Sequence, residues 1–397
     1  MSNPTITVPR PSLVAVCAAG MLALAIAMGI GRFAFTPMLP LMIRAGSVDV
    51  AAGGWLAAAN YAGYLLGALT TARLPLTPQR VGLLSLAVIV LSTAAMGWTG
   101  SVAIWLLLRF VAGVASAWAL VSTSVWCLGW LARLDRPAGA GVLYAGVGVG
   151  IALAGLYCWR AGVAGVVPEG LWMQLGALAL VGLVVVALLM PREAAGQGAA
   201  ANGPSVAAPT SSLGVVPWGL VLSYGVLGFG YILPATFLPV LARAVVDDPS
   251  VFGGAWPVFG AAAALSTVFA GAALVHLPRR HVLAGSHALM ALGCLLPVLH
   301  LSAATVLLAA LLVGGTFMVA TMAGMQEAKA SSVGDPTRML GRMTAAFAIG
   351  QMAGPVLSSA LSGKAEGFGG LFIALAVGAV ALLGSAAWLV RKPSRIV

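Results

Sequence analysis

Two arginines stand inside long apolar stretches of this chain. Arg32 lies in GIGRFAFTPMLP and Arg109 in LLLRFVAG. A charge at the centre of a membrane helix is unfavourable by at least about 2.5–3.5 kcal/mol, so such residues face a wet cavity or a partner. A guanidinium offers five N–H donors in a planar fork that fits a carboxylate. The chemistry that these residues suggest is recognition of an anion.

The surroundings of Arg32 predict a cavity wall. Phe35 and Thr36 follow three and four residues later, and they share its face on an α-helix. Pro37 and Pro40 interrupt the helix and free backbone carbonyls, which membranes tolerate where a cavity is lined. We therefore assign Arg32, Phe35 and Thr36 to a substrate site. The alternative is that Arg32 stabilises a neighbouring helix through backbone carbonyls.

Both arginines are predicted to lie deep in the membrane. Arg32 is separated from Arg44, at the outer end of its span, by about 18 Å of helix. Arg109 is separated from Ser101 by about 12 Å. Gly113, one turn after Arg109, favours a close helix contact. Arg109 is therefore either a second substrate ligand or a residue that joins two helices.

No acidic residue is predicted at a comparable depth. Asp135 and Asp335 fall in loops, and Glu327 lies at the inner end of its span. Because an unpaired buried charge is unfavourable, an anionic or carboxylate-bearing substrate is one source of the missing negative charge. The alternative partners are backbone carbonyls and four side chains: Asn60, Tyr61, Tyr64 and Thr36.

Coupling to protons requires a titratable group. Glu327 and His287 are the coupling candidates, and His276 is a weaker one. A lone histidine inside a span is also typical of hydrogen-bonded packing. Coupling through the substrate's own carboxyl group, and anion exchange, are the alternatives.

The segment around Arg32 occurs twice. GFGYILPATFLP begins 199 positions after GIGRFAFTPMLP and keeps its glycines and final proline. At the position equivalent to Arg32, however, the second copy has Tyr231. Such self-similarity indicates a duplicated unit. Tyr231 and Tyr224, seven residues apart on one helical face, are predicted to form an aromatic wall of the substrate site. Weaker polar candidates are Thr321, Gln326 and Gln351.

The composition places these residues in a membrane. Hydrophobic residues make up 61% of the chain and charged residues 7%, whereas a soluble domain carries roughly 25% charged residues. Because backbone polar groups must be paired inside lipid, the apolar stretches of about 20 residues predict an all-α integral membrane protein. We predict twelve transmembrane helices in two six-helix repeats. The predicted spans are 13–36, 51–72, 81–98, 102–131, 139–159, 169–190, 214–241, 252–275, 282–300, 303–328, 339–362 and 368–390.

The distribution of the basic residues predicts the orientation. If the N-terminus is cytoplasmic, fourteen basic residues fall on the inner side and four on the outer side, which is the positive-inside bias. The net charge of +11 therefore reports topology and does not indicate binding of nucleic acid. The apolar run after Arg10 has no cleavage site, so it is read as an uncleaved first span. We predict a multi-pass protein of the bacterial inner (plasma) membrane with both termini in the cytoplasm.

One polar stretch divides the chain at its midpoint. Residues 191–213 are rich in Gly, Ala, Pro and Ser, which is typical of a flexible linker. The predicted units are an N-terminal six-helix bundle at 1–190, the cytoplasmic linker at 191–213 and a C-terminal six-helix bundle at 214–397. Two parallel repeats joined in this way are typical of secondary transporters with a site between the halves.

No motif for covalent chemistry is recognised. The sequence contains no Walker glycine loop, no G-x-S-x-G serine and no His/Cys cluster with metal-ligand spacing. We therefore expect no enzyme activity, no catalytic residues, no cofactor and no metal. A channel and a non-transporting membrane sensor are the rival classes, but broken helices in both repeats favour a carrier, and no loop is long enough for a signalling domain.

Several motifs carry a family resemblance. The segment from Arg109 to Ala117, RFVAGVASA, follows an intramembrane R-x-x-x-G-x-G-type pattern, with Ala115 at the second glycine. Residues 350–355, GQMAGP, follow a G-x-x-x-G-P pattern, and Arg73 and Arg80 remain from a degenerate loop motif that lacks its aspartate. Through these motifs the chain resembles the major facilitator superfamily over essentially its whole length. The repeated segments GIGRFAFTPMLP and GFGYILPATFLP resemble those of its YbfB/YjiJ-type bacterial branch.

The resemblance implies a secondary active transporter that works by alternating access, with Arg109 contributing to coupling or substrate contact. From the residues we expect the solute to be an organic anion or carboxylate, moved with protons or by exchange. The alternative is efflux of drugs or metabolites by proton antiport. The expected partners are this small molecule, a proton or counter-substrate, and the lipid bilayer. The expected state is a monomer.

Overall fold

A computed structural model describes residues 11–191, 217–243, 245, 249–332, 335–362 and 369–391. Twelve long helices and no strand occur within these ranges. We call the first six helices the first half and the last six the second half. The helices are α1 (Leu13–Arg44), α2 (Val50–Thr70), α3 (Pro78–Ala95), α4 (Val102–Arg133), α5 (Gly139–Val163), α6 (Pro168–Leu189), α7 (Trp218–Arg243), α8 (Pro249–Ala273), α9 (Arg279–Leu299), α10 (Ala303–Ala330), α11 (Pro336–Ser362) and α12 (Gly369–Val390).

Ten of these helices are long and apolar enough to cross a membrane by their length and composition. The two others, α2 and α11, carry polar side chains along their length, among them Asn60 in α2 and Gln351 in α11. Both of these side chains are fully buried, and α2 packs on α11. The two more polar helices therefore direct polar groups into the protein, where a membrane protein keeps groups that lipid does not accept.

Helix α1 changes its winding halfway along. It is α-helical over Leu13–Leu24, π-helical over Ala25–Phe33 and α-helical again over Phe35–Arg44. The sequence predicts an interruption at the two prolines, whereas the structure places the irregular turns just before them. π-Helical turns are wider than α-helical turns and occur often at functional sites. The irregular turns are those that carry Arg32.

Glycine contacts hold this π-helical segment against α5. A Cβ atom added to Gly29 would lie 2.4 Å from the Cα of Gly150, and one added to Gly150 would lie 2.4 Å from the carbonyl oxygen of Ala25. The two backbones therefore touch, and not even a methyl group fits between them. Small residues permit this close approach in membranes, which fixes the position of the Arg32 backbone.

The two halves meet mainly along two pairs of helices, α5 with α8 and α2 with α11. The contact of α5 with α8 also depends on glycine. A Cβ atom on Gly148 would lie 2.4 Å from the backbone nitrogen of Ala264, and one on Gly260 would lie 2.4 Å from that of Ala152. The small residues of α5 thus allow close contacts with α1 of its own half and with α8 of the other half.

The linker predicted at 191–213 lies outside the described residues, apart from Pro191. The charged residues predicted near both chain ends, among them Arg10 and Arg395, lie outside them as well.

Candidate functional site

Arg32 is buried at the interface of the two halves, with only 3% of its surface exposed. Its guanidinium carbon lies 3.9 Å from the ring centre of Tyr64, 5.4 Å from that of Tyr61 and 5.5 Å from that of Phe33. Such cation–π contacts stabilise a cation that has left water. Nε and Nη1 of Arg32 have no hydrogen-bond partner among the described residues, so much of its donor capacity is unused.

The remaining donor of Arg32 reaches the second half. Nη2 donates a hydrogen bond to Oε1 of Gln351 in α11. The other side-chain atom of this amide, Nε2, is buried without a partner within the described ranges. Sequence reasoning ranks Gln351 only as a weak candidate, although it is the one amide in an apolar stretch, AAFAIGQMAGP. Arg32 and Gln351 are 319 positions apart, and the sequence alone does not pair them.

Arg109 is buried beside Arg32 but makes different contacts. Its Nη1 and Nη2 donate hydrogen bonds to the carbonyl oxygens of Gly31 and Arg32, each over 3.3 Å. Its guanidinium lies over the ring of Phe35, 4.5 Å from the ring centre. Pro37, five residues after Arg32, has no N–H to donate in π-helical register. Arg109 therefore supplies donors to the irregular backbone of α1.

The backbone that carries Arg109 is held against α2. Nδ2 of Asn60 donates to the carbonyl oxygen of Arg109 over 2.9 Å. A Cβ atom on Gly113 would lie 2.1 Å from the carbonyl oxygen of Asn60, so α2 and α4 are in backbone contact, as the glycine predicts. The geometry matches the helix-joining alternative for Arg109.

We expect Arg109→Lys to lower the stability of the protein by about 1–3 kcal/mol, because an ammonium does not replace two diverging donors and leaves a buried carbonyl unsatisfied. The thermal unfolding midpoint of the purified protein in detergent measures this. The matched control is Arg133→Lys, since Arg133 lies at the exposed end of the same helix. A variant with weakened anion binding but an unchanged midpoint would contradict a positioning role.

A small cavity of about 20 Å³ lies between the halves, next to this arginine site. It is lined mainly by aromatic rings and methionines, and both predicted wall residues, Tyr224 and Tyr231, belong to the lining. The hydroxyl of Tyr231 has no hydrogen-bond partner among the residues described. The lining residues are Met28, Phe33, Tyr64, Leu120, Val147, Tyr224, Tyr231, Phe317, Met318, Thr321, Met325, Thr344 and Phe347.

The aromatic rings around the cavity form a continuous row from α1 to α7. Ring centres of successive members are 4.8–6.3 Å apart, and the central pairs are nearly parallel, with angles of 3–25° between the ring planes. These distances are within the range of favourable aromatic contacts. We call this set the aromatic row. Its members in order are Phe33, Trp256, Phe259, Phe317, Tyr231, Phe347 and Tyr224.

The other predicted residues lie apart from the cavity. Phe35 is buried under Arg109, whereas Thr36 is exposed. Glu327 forms an ion pair with Arg280, with Oε1 and Nε 3.2 Å apart. His287 is fully buried, and its Nδ1 lies 3.0 Å from the hydroxyl of Ser385.

The carboxylates that the structure describes are exposed or half-buried. No Asp or Glu is buried in the described part of the chain, and the only ion pair there joins Arg280 and Glu327. Arg32 and Arg109 are therefore buried cations without a carboxylate partner in those ranges. Arg109 is compensated by two carbonyls, whereas the partners of Arg32 are the amide of Gln351 and the side chains of Tyr64, Tyr61 and Phe33.

Comparison with known proteins identifies the family. The family described as "Uncharacterised MFS-type transporter YbfB" matches residues 24–390. No curated protein matches the chain significantly. Among solved structures, the crystal structure of the human organic anion transporter MFSD10 (TETRAN) is similar, with a TM-score of 0.70 and 16% identity over 95% of this chain and 98% of that one. At this identity the likeness shows the fold alone. The resemblance predicted from the motifs is thus confirmed, and the chain belongs to the YbfB-type family of multi-pass major facilitator superfamily transporters.

Proposed function

We propose that this protein is a secondary transporter that carries a small organic anion across a bacterial inner membrane by alternating access. The observation that carries the proposal is Arg32. It is a buried cation with two unused donor atoms and no carboxylate partner in the described ranges, and two of the rings that it contacts, Phe33 and Tyr64, line a cavity between the two halves. A carboxylate supplies both the charge and the paired acceptors that a guanidinium binds. The similar human protein is described as an organic anion transporter.

Gln351 has a defined part in this proposal. In this structure its Oε1 accepts from Nη2 of Arg32 and so provides a neutral acceptor from the opposite half. An arriving carboxylate is a stronger acceptor than the amide, because it adds attraction between opposite charges and offers two oxygens that pair with the guanidinium. The substrate thereby replaces Gln351 at Arg32, and one of the polar contacts that join the halves is released.

The other residues take supporting parts. Arg109 positions the backbone of Arg32, and Tyr224, Tyr231 and Phe33 form the apolar wall of the site. We propose no catalytic role for any of them, since transport requires no covalent chemistry.

The proposed architecture follows the two repeats. Two six-helix bundles, residues 1–190 and 214–397, rock about the central site on the contacts of α5 with α8 and of α2 with α11. The bundles are joined by a cytoplasmic linker at 191–213. The basic residues of the helix connections support an orientation with both termini in the cytoplasm. The proposed state is a monomer.

Proton coupling through Glu327 or His287 stays a prediction. Glu327 is paired with Arg280, and His287 contacts Ser385, so neither is in contact with Arg32. This arrangement supports coupling through the substrate's own carboxyl group or through anion exchange. Uptake into reconstituted vesicles distinguishes the two: a pH gradient should drive uptake if protons are coupled, and an anion on the opposite side of the membrane should drive it if anions are exchanged.

The test is flux in proteoliposomes that contain the full chain. We expect uptake of radiolabelled benzoate, lactate or succinate to saturate for at least one of these anions. We also expect uptake to accelerate when the same unlabelled anion is present inside, because the binding site of a carrier reorients to the outside faster with substrate bound than without it. Glucose and tetraphenylphosphonium are the neutral and cationic controls. Conductance without saturation would indicate a channel, and transport of tetraphenylphosphonium alone would indicate drug efflux; either result contradicts the proposal.

A further inference from the structure

We infer that the transported anion is a monocarboxylate with an aromatic body, whose ring lies in the aromatic row while its carboxylate reaches Arg32. The inference rests on the proposed function and narrows it to one chemical class.

The first argument concerns the number of charges. Among the described residues, Arg32 is the one arginine with two buried guanidinium nitrogens that lack a partner, and it contacts Phe33 and Tyr64 of the cavity lining. The two terminal nitrogens of Arg109 already donate to backbone carbonyls, so a second carboxylate would have to displace them. None of the described carboxylates lines the cavity, so an ammonium group would have no counter-charge from them there. One negative charge, without a second anionic or cationic group, is what the site accepts.

The second argument concerns polar groups. Apart from the tyrosine hydroxyls, the cavity lining offers two hydroxyls, those of Thr321 and Thr344. Each donates a hydrogen bond of 2.8 Å to a carbonyl of its own helix, at Phe317 and Leu340. A sugar or a polyol would bury several hydroxyls in this site without partners, which is unfavourable. The body of the solute is therefore apolar.

The third argument concerns shape. Phe317 stacks on Tyr231 at 4.8 Å and on Phe259 at 5.3 Å, with ring planes within 24° of parallel. A gap opened between nearly parallel rings has flat walls, which favour a flat partner over a puckered one. Met318 and Met325 line the same cavity, and methionine sulfur makes favourable contacts with aromatic rings. A planar ring fits these surroundings better than an aliphatic chain of equal size.

The cavity itself indicates how such a ring is admitted. Its volume of about 20 Å³ holds one or two water molecules. In this structure the aromatic side chains therefore pack against one another and leave no space for a further ring. Phe33 of the first half and Trp256 of the second half meet at its end, with ring centres 6.3 Å apart. When the halves separate, this contact opens, and a substrate ring takes over the ring contacts that are lost.

The experiment compares acids of equal charge and similar size on the purified full chain. Binding is measured by thermal shift and by competition for uptake of labelled benzoate. We expect benzoate to bind about threefold to tenfold more tightly than cyclohexanecarboxylate, the advantage of an aromatic pair over area alone. Hexanoate should resemble cyclohexanecarboxylate, and neutral benzamide and doubly charged phthalate should bind at least about tenfold more weakly than benzoate.

Two variants test whether the aromatic row causes the preference for benzoate over cyclohexanecarboxylate. Phe317→Leu is expected to bring the ratio between benzoate and cyclohexanecarboxylate close to one. Phe269→Leu, which changes an exposed phenylalanine of α8, is expected to leave that ratio unchanged. If Phe317→Leu does not fold, the series of ligands on the unmodified protein still decides the question.

The outcomes separate the two proposals. If hexanoate and cyclohexanecarboxylate bind as tightly as benzoate, and all three depend on Arg32, the aromatic inference is overturned and the anion transporter stands. If phthalate binds as tightly as benzoate, the inference that the site accepts only one negative charge is wrong. If no carboxylate depends on Arg32, the proposed function fails and this inference fails with it.

Discussion

Replacing Arg32 with glutamine is expected to reduce the uptake of organic anions by about a hundredfold or more. Two hydrogen bonds from a charged donor, at about 1.5–3 kcal/mol each, are lost together with the attraction of the charge. Stability should change little, because the loss of the ring contacts and of the charged hydrogen bond is offset by removal of a buried charge that has no carboxylate partner in the described ranges. Transport in proteoliposomes and the thermal midpoint in detergent measure the two effects.

Measuring transport and thermal stability together distinguishes a residue that binds the substrate from one that only supports the fold. If Arg32 only joined the halves, Arg32→Gln would lower the midpoint, and ligand-induced stabilisation would persist in the folded fraction. Arg160→Gln is the matched control, since Arg160 is exposed and lies near the ring of Trp159; we expect it to transport normally. Normal anion uptake by Arg32→Gln would show that the substrate binds elsewhere.

The second large effect is expected from Gln351→Glu. The substitution places a carboxylate where Oε1 of Gln351 now accepts from Arg32, and so supplies in the protein the charge that we assign to the substrate. Because breaking a buried ion pair costs about 3–5 kcal/mol, an external anion competes poorly with it. We expect anion uptake to fall by about a hundredfold while the thermal midpoint rises, as two helices from opposite halves become paired.

Two companion variants test the cause. Gln351→Leu removes the acceptor without adding charge, so anion affinity should be kept or increased. Gln326→Glu adds the same charge in α10, next to Glu327, and should leave affinity for the anion unchanged. If Gln351→Glu transports like the unmodified protein, then Gln351 and the substrate do not share Arg32, and the proposed exchange of partners is wrong.

Much of the fold is predictable because it depends on properties that run along the chain. Apolar stretches of span length, scarce charge and the need to pair every backbone polar group inside lipid predict membrane helices. The structure has twelve long helices in its described ranges, and ten of them qualify as spans. The motifs around Arg109 and Gly350 are likewise local, and the family that they indicate is confirmed by the match over residues 24–390.

The candidate site was predictable only in part. Arg32 and Arg109 stand out because a charge is rare and unfavourable in an apolar stretch. Tyr224 and Tyr231 share the cavity because seven residues are about two turns of a regular helix. The prediction for Thr36 used the same spacing argument, but Thr36 is exposed, because a shared helical face does not fix which neighbouring helices cover a residue.

The sequence by itself thus determined the membrane environment, the family and the presence of a buried arginine without a nearby acid. Only the tertiary structure decided what each arginine contacts. Arg109 meets the carbonyls of α1, whereas Arg32 keeps unused donors and meets Gln351 from the other half. The reason is physical: burial of a charge is a property of its own stretch of chain, but its partners are set by how closely helices approach. Here backbone contacts at glycines such as Gly29, Gly113 and Gly148 set that approach.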